Sequence, residues 1–210
     1  MPTQRVLQFK VTLAHIEPKV WRRFQIPEEA TFWDLHVAIQ DTFGWEDRHL
    51  HEFTVPTADF GVIRLGLPDP DGSGESQPFP DWVVSVVDLL EEPGASFMYV
   101  YDFGDEWEHT VEFEDSVPAT AKTRYPVLID GKNACPPEDV GGSPGYIDFI
   151  EALANPAHEM HKELKAWIGR PFDPRKFDPT HVKFSDPKKR MKAAGLKPSK
   201  QQWKGPKSIS

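Results

Sequence analysis

Residues 96–114 read SFMYVYDFGDEWEHTVEFE, and this stretch is the strongest indication of a β-hairpin in the chain. Two alternating runs flank a short polar segment, and alternation with a period of two is typical of half-buried strands. We expect a three-residue loop at 104–106, with Phe103 facing Trp107, because a two-residue turn would shift the register by one and mix the two faces. The predicted apolar face consists of Phe97, Tyr99, Tyr101, Phe103, Trp107, His109, Val111 and Phe113.

A helix is predicted over residues 32–43, where large apolar side chains recur at helical spacing. Thr31 is placed to cap its N-terminus, with Asp34 at the capping-box position, and Gly44 ends the pattern. His36 lies on this helix beside apolar neighbours, so we expect it to be a hydrogen-bonded residue at the edge of the core.

The rest of the chain predicts short elements joined by many turns. They are strands over 6–16, 20–26, 51–55 and 61–65, a strand leading into a helical turn over 82–90, and helices over 145–155 and 157–168. Residues 67–80 are typical of a flexible surface loop, residues 117–144 are rich in loops, and Pro156 is expected at the first position of the last helix. The predicted fold class is therefore α+β: a mainly antiparallel sheet with helices packed on one face and proline-rich ordered loops.

Composition narrows the class of protein. A chain of 210 residues without a detectable internal repeat suggests one main domain, and 21 prolines argue against an all-helical bundle. Cys135 is the only cysteine, which excludes an intramolecular disulfide and a cysteine-rich zinc site. No apolar run is long enough to span a membrane and no signal peptide is recognisable, so we expect a cytoplasmic protein with no membrane partner.

Charge is distributed unevenly. From Ser185 onward eight basic residues are opposed only by Asp186, whereas the other 184 residues hold 16 basic and 32 acidic side chains, a charge of −16. We therefore predict a domain at 1–184 and a basic, disordered tail at 185–210. The tail could solubilise the protein, fold back onto the acidic body, or contact nucleic acid. The predicted nucleic-acid contacts are Lys188, Lys189, Arg190 and Lys192.

Motifs of several enzyme classes are absent from the sequence. There is no GxxxxGKS or GxxxxGKT phosphate loop, no GxGxxG dinucleotide fingerprint and no GxSxG nucleophile elbow. The segment 158–161 (HEMH) is one residue short of the HExxH zinc motif, and a solvated helix face explains it more simply.

Polar side chains capable of chemistry cluster instead in the segment HLHEF (49–53), the hairpin turn and the loop CPPEDVGG (135–142). Histidines and carboxylates that converge from separate segments could hold a divalent metal or form an acid–base pair. Alternatively, each side chain could only tie down its own loop. The predicted binding patch consists of Trp45, His49, His51, Tyr101, Asp102, Asp105, Trp107, His109, Glu138 and Asp139.

Several longer strings occur together: VWRRFQIP, TFWDLHVAIQDTFGWEDRHLHEF, YDFGDEWEHTVEFE, IDGKNACPPEDVGG and YIDFIEALANPAHEMHKELKAWIG, followed by FDPRKFD. In this order they resemble the plasmid pRiA-type ORF-three-like family over roughly residues 5–180. The resemblance implies an α+β domain and no settled activity, although some relatives carry the label of resolvase-like passenger proteins of insertion elements. Recombinase chemistry is not supported here, because none of the eight histidines has an arginine three residues later and the first serine, Ser73, lies in the predicted flexible loop.

Three functions remain open at this point. The leading hypothesis is a non-catalytic binding module, an accessory factor of a mobile element, whose acidic and aromatic patch takes a cationic ligand, a basic protein or a metal-bridged partner. The second is a metal-dependent hydrolase in which His49, His51 and His109 hold Zn²⁺ or Mn²⁺, with Glu138 or Asp139 as general base. The third is nucleic-acid association through the tail alone. No cofactor is established by any motif.

Overall fold

The computed structural model describes residues 4–68, 77–90, 92–197, 203 and 205. Eight strands form one sheet: β1 (Arg5–Leu13), β2 (Trp21–Pro27), β3 (His51–Thr57), β4 (Gly61–Gly66), β5 (Phe79–Pro80), β6 (Ser96–Tyr101), β7 (Trp107–Pro118) and β8 (Val127–Lys132). The helices are α1 (Phe32–Phe43), α2 (Gly142–Ala154), α3 (His161–Ile168) and α4 (Pro187–Ala193).

The strand order across the sheet is β5-β4-β3-β6-β7-β1-β2-β8, and every neighbouring pair is antiparallel except β4 and β5. The predicted α+β class with a mainly antiparallel sheet is confirmed. The most important junction for function is β3 beside β6, because it places the start of β3 next to the end of β6, where His51 pairs with Tyr101.

Helix α1 forms where the sequence predicts it. The Thr31 hydroxyl accepts from the backbone N–H of Asp34 at 3.2 Å, and the Asp34 carboxylate accepts from the backbone N–H of Thr31 at 2.8 Å. Gly44 adopts φ 81° at the C-terminal end, a conformation that favours glycine. The apolar side of α1 packs on the sheet through ring contacts such as Phe32 with Phe53 at 5.3 Å, and these contacts form the centre of the core.

The hairpin β6–β7 has the predicted buried face but a different register. Tyr101, not Phe103, pairs with Trp107, so the loop contains five residues, 102–106. Asp102 explains the difference: it adopts φ 59°, and its Oδ1 accepts from the backbone N–H groups of Gly104 at 2.9 Å and Asp105 at 3.3 Å. A shift of two residues keeps each strand residue on its face, and it leaves Phe103 in the loop with 52% of its surface exposed.

Other boundaries differ from the sequence expectation. Residues 81–83 and 86–88 form two 3₁₀ turns instead of a strand and a helical turn, and β8 lies in the region predicted to be loop. Helix α3 begins at His161, so Pro156 is not its first residue; the intervening turn is held by the Asn155 side chain, whose oxygen accepts from the Ala157 N–H at 3.0 Å. Most of the predicted flexible loop, residues 69–76, lies outside the described residues.

The predicted disordered tail is wrong for residues 185–197. Helix α4 packs on α1, where Met191 is buried against Trp33, and the Trp33 indole N–H donates to the Pro187 carbonyl at 3.0 Å. Arg190 binds Asp41 with a nitrogen–oxygen distance of 2.7 Å. Further along, Trp203 packs against Phe79 with ring centroids 5.0 Å apart. These parts of the tail therefore fold back onto the body, and residues 198–202, 204 and 206–210 lie outside the described part of the chain.

Candidate functional site

Three segments that are distant in sequence meet at one end of the sheet: residues 45–49 after α1, the hairpin turn 102–106, and the loop 135–141. Glu138 is the central link. The Tyr101 hydroxyl donates to Glu138 Oε1 at 2.5 Å, and the backbone N–H of Glu46 donates to Glu138 Oε2 at 2.7 Å. The segment after α1, the hairpin turn and the 135–141 loop therefore meet in the structure.

The hairpin turn is also joined directly to the loop. The N–H of Gly141 donates to Asp105 Oδ2 at 3.2 Å. Next to it, Gly142 has φ 68°, and a Cβ atom there would lie 2.4 Å from the carbonyl oxygen of Asp105. Close approach of the two backbones requires glycine at this position.

His49 lies between two carboxylates. Its Nε2 is 2.9 Å from Asp139 Oδ1 and 3.5 Å from Asp102 Oδ2. Asp102 belongs to the hairpin turn and Asp139 to the 135–141 loop, so one imidazole contacts both segments. The three ligand-type atoms lie within 4.8 Å of one another.

Aromatic rings form the wall behind this polar cluster. Trp45 stacks on Tyr101 with ring centroids 5.1 Å apart, lies 5.7 Å from Trp107, and donates its indole N–H to the Pro136 carbonyl at 3.0 Å. All three rings are buried, so they support the site and do not offer the open contact area expected from the sequence. Burial first, and the neighbouring Glu138 carboxylate second, raise the pKa of Tyr101, which keeps its hydroxyl protonated and able to donate.

An open groove of about 410 Å³ lies between the 135–141 loop and α3, and we call it the loop–helix groove. The residues that matter for its chemistry are Trp45, Glu46, Glu138, Asp139, Trp167 and Arg170. A second hollow of about 450 Å³ shares Asp139 and Trp167 with it and adds Glu163. The Trp167 ring is 48% exposed and forms part of the wall of both hollows.

The groove carries more negative than positive charge. Its arginines are Arg48, which already pairs with Glu46, and Arg170. Carboxylates around the two hollows and directly behind them are Glu46, Asp102, Asp105, Glu138, Asp139 and Glu163. A cation that entered here would meet carboxylates close to an exposed indole.

Two of the predicted metal ligands lie elsewhere. His51 Nε2 contacts Asp81 Oδ2 at 2.7 Å in a buried pair. His109 is in the core, 5.0 Å from the Phe43 ring, with Nδ1 at 3.3 Å from the Tyr99 carbonyl. Burial lowers the pKa of His109 to about 3, against weaker opposing backbone hydrogen bonds. The predicted ligand set of His49, His51 and His109 is therefore not assembled.

Sequence reasoning missed a buried polar network that contains His36 and His51. Their rings stack with centroids 3.5 Å apart and planes 11° apart. His36 contacts the Tyr99 hydroxyl at 2.8 Å and Asp47 Oδ1 at 2.9 Å, and burial lowers its pKa to about 4. Because stacked rings direct their in-plane lone pairs along parallel planes, both nitrogens cannot point at one metal ion with bonds of about 2.1 Å. We therefore assign this buried network a role in stabilising the fold.

Helix α4 places the four predicted nucleic-acid contacts in two different environments. Lys188, Lys189 and Lys192 are exposed, whereas Arg190 turns inward toward Asp41 and Asp47. Trp167 is the main groove residue that sequence reasoning missed. It becomes a wall of the groove because α3 lies beside the 135–141 loop.

Among the described helices, none is long and apolar enough to cross a membrane.

Comparisons with known proteins found one family model, one curated relative and one solved structure that are similar to this chain. The model of a family described as "Plasmid pRiA4b ORF-3-like protein" matches residues 5–181. The chain is similar to "Uncharacterized protein y4hQ" of Sinorhizobium fredii, with 44% identity over 165 residues, which cover 78% of this chain and 81% of that protein. It is also similar to the crystal structure of "Protein of Unknown Function MM3350" from Methanosarcina mazei Go1, with TM-score 0.79 and 36% identity over 87% of this chain and 99% of that one.

Proposed function

We propose that this chain, which belongs to the plasmid pRiA4b ORF-3-like family, is a non-catalytic binding module that takes a cationic ligand in the loop–helix groove. The observation that carries the proposal is the hydrogen bond from Tyr101 to Glu138 at 2.5 Å. It fixes the hairpin to the 135–141 loop, which forms one wall of the groove. A recessed site with fixed polar groups and an aromatic wall is typical of ligand-binding clefts.

The chemistry of the groove favours an ammonium or guanidinium group. The half-exposed Trp167 ring can receive a cation over its face, an interaction of about 1 kcal/mol at an accessible site. Asp139 and Glu163 line the second hollow, of which Trp167 is also a wall, and they supply the negative charge. The ligand we propose is therefore a basic segment of a protein partner or a small organic cation.

The cellular setting is part of the same proposal. A single free cysteine suits a reducing compartment, and we place the protein in the cytoplasm. The family takes its name from a plasmid reading frame, which supports an accessory role in a mobile genetic element.

Titration calorimetry with a tri-arginine peptide, and with tri-glycine as the uncharged probe, tests the proposal. We expect saturable one-to-one binding of tri-arginine that weakens with salt, and no measurable binding of tri-glycine. Trp167→Ala should weaken binding about fivefold, the equivalent of about 1 kcal/mol, whereas Trp167→Phe should keep most of it.

A matched pair of charge variants completes this test. Glu163→Gln removes a carboxylate from the second hollow, which shares Asp139 and Trp167 with the groove. Glu92→Gln removes an exposed carboxylate that precedes β6, at the end of that strand away from Tyr101. The first should weaken tri-arginine binding and the second should not. Equal effects of the two variants, or wild-type affinity in Trp167→Ala, would exclude the groove as the binding site.

A further inference from the structure

We propose that His49, Asp102 and Asp139 form a binding site for one divalent transition metal ion, of which Zn²⁺ and Mn²⁺ fit best. This site goes beyond the proposed function and does not depend on the ligand of the loop–helix groove. It also differs from the ligand set expected from the sequence, because it keeps His49 and replaces His51 and His109 with two carboxylates.

An excess of acceptors around His49 is the first argument. Asp139 Oδ1 at 2.9 Å and Asp102 Oδ2 at 3.5 Å both face the same ring nitrogen, Nε2. A ring nitrogen carries at most one proton, so it can donate one good hydrogen bond. The other carboxylate then faces a second negative charge and has no hydrogen-bond donor from His49. A divalent cation would instead be coordinated by the imidazole and by both carboxylates.

Asp102 is the second argument, because only one of its oxygens is used by the fold. Its side chain is 11% exposed, and Oδ1 accepts from the N–H groups of Gly104 and Asp105. Oδ2 points to His49 at a distance beyond the usual range for a hydrogen bond. Within the described residues, no lysine or arginine lies within 4.0 Å of the Asp102 or Asp139 carboxylate.

The distances suit coordination. Ligand atoms bound at about 2.1 Å with tetrahedral angles are about 3.4 Å apart, and the two observed nitrogen–oxygen distances lie on either side of that value. The donor set of one imidazole and two carboxylates is suitable for Zn²⁺ and Mn²⁺. Three protein ligands also leave at least one position for water, and Asp139 brings this site to the wall of the groove.

Each ligand comes from a different converging segment. His49 precedes β3, Asp102 begins the hairpin turn and Asp139 belongs to the 135–141 loop. A bound ion would therefore hold together the same three segments that Glu138 joins by hydrogen bonds. Metal binding should stabilise the folded state, because the unfolded chain does not present these ligands together.

The test is titration of the chelator-treated full chain with Zn²⁺ and Mn²⁺ by calorimetry, with Co²⁺ absorption as a spectroscopic readout. We expect one ion per chain, a rise in melting temperature, and visible Co²⁺ bands of a low-coordinate site. His49→Ala, Asp102→Asn and Asp139→Asn should each weaken binding at least tenfold. Trp167→Ala should leave metal binding unchanged, which separates this test from that of the groove.

His181→Ala is the matched control, because His181 and Asp178 form an exposed histidine–carboxylate pair with only one acid, 3.8 Å apart. The His181→Ala variant should bind the metal ion with the same affinity as the unmodified protein. Asp102→Asn could loosen the hairpin turn. Asp139→Asn gives an independent answer, because the Asp139 side chain is 53% exposed. The proposal is overturned if no saturable one-to-one binding occurs, or if His181→Ala and Asp139→Asn have equal effects.

Discussion

Tyr101 donates a hydrogen bond to Glu138 at 2.5 Å, and through this contact the end of β6 is joined to the 135–141 loop. The same hydroxyl accepts from the backbone N–H of Arg48 at 2.9 Å, so the phenol also contacts the segment that follows α1. Tyr101 is the residue on which the three segments of the site converge. Its partner across the hairpin, Trp107, is buried in the core and fixes the position of the strand.

The first prediction concerns this hydrogen bond. Tyr101→Phe keeps the ring and removes the hydroxyl, so the Glu138 carboxylate loses a donor and the Arg48 N–H loses an acceptor. We expect the free energy of unfolding to fall by about 1.5–3 kcal/mol, the range for hydrogen bonds to charged groups. Urea denaturation measures this change.

Tyr125→Phe is the control, because the Tyr125 hydroxyl accepts only a backbone N–H, that of Thr120, in an exposed turn. It should cost less than about 1 kcal/mol. Glu138→Gln alone and together with Tyr101→Phe completes a double-mutant cycle. A coupling energy near zero would show that the phenol does not hold the loop.

The second prediction concerns the contact between Gly142 and Asp105. Gly142→Ala introduces a Cβ atom 2.4 Å from the Asp105 carbonyl oxygen, at a residue with φ 68°. Gly94 also has a positive φ, 92°, but nothing lies within 4 Å of its added Cβ. Gly94→Ala should therefore cost only the backbone strain of about 1 kcal/mol, and Gly142→Ala about 2 kcal/mol more. Equal losses in chemical denaturation would contradict the observed close approach.

In the β6–β7 hairpin, the sequence predicts the buried face but not the register. Alternation predicts which residues of β6 and β7 face the core, and this part is confirmed. Alternation is unchanged by a shift of two residues, however, so it does not distinguish Tyr101 from Phe103 as the partner of Trp107. The register is decided by the Asp102 side chain, which caps the turn, and such a local contact has only a weak sequence signal.

The third prediction is a pH dependence of stability that arises from His109. Burial lowers its pKa to about 3, whereas an unfolded histidine has a pKa near 6.5. Between these values the unfolded state binds more protons, so stability rises with pH across this window and is lost as the pH falls. The slope approaches about 1.4 kcal/mol per pH unit for each such histidine.

His109→Phe removes this contribution and should flatten the profile of unfolding free energy between pH 6.5 and the acid limit of the folded state. A residual slope should remain, because His36 has a lowered pKa of about 4 for the same reason, burial. His181→Gln changes an exposed histidine and keeps His109, so its profile should retain the slope that His109 contributes. Identical profiles for wild type and His109→Phe would argue against a buried neutral His109.

The fourth prediction tests whether the C-terminal segment is part of the domain. Met191 is 7% exposed and packs against Trp33 and Val37, so Met191→Ala should destabilise the protein by about 2 kcal/mol. Lys192→Ala changes the exposed neighbour and should alter stability by less than about 0.5 kcal/mol. Thermal or urea unfolding compares the two. If both variants behave like wild type, residues 185–197 do not contribute to the fold.

Local and long-range features differ in how well the sequence predicts them. Helix α1 is confirmed because spacing and both caps agree within 14 residues, from Thr31 to Gly44. The charge of the tail predicts disorder, whereas Asp186 and Pro187 form a helix start and Met191 supplies an apolar contact. The groove beside Trp167 depends on where α3 lies relative to a distant loop, and no periodicity encodes that placement.

The most direct test of the groove as the binding site uses the seven tryptophan indole N–H signals as reporters in a ¹⁵N–¹H correlation spectrum. On addition of tri-arginine, we predict the largest shift for Trp167 and a smaller one for Trp45, which lie on the groove. Trp33 and Trp82, which belong to the cluster beneath α4, should not move. Shifts confined to Trp33 and Trp82, or no saturable shift of Trp167, would contradict the proposed binding site.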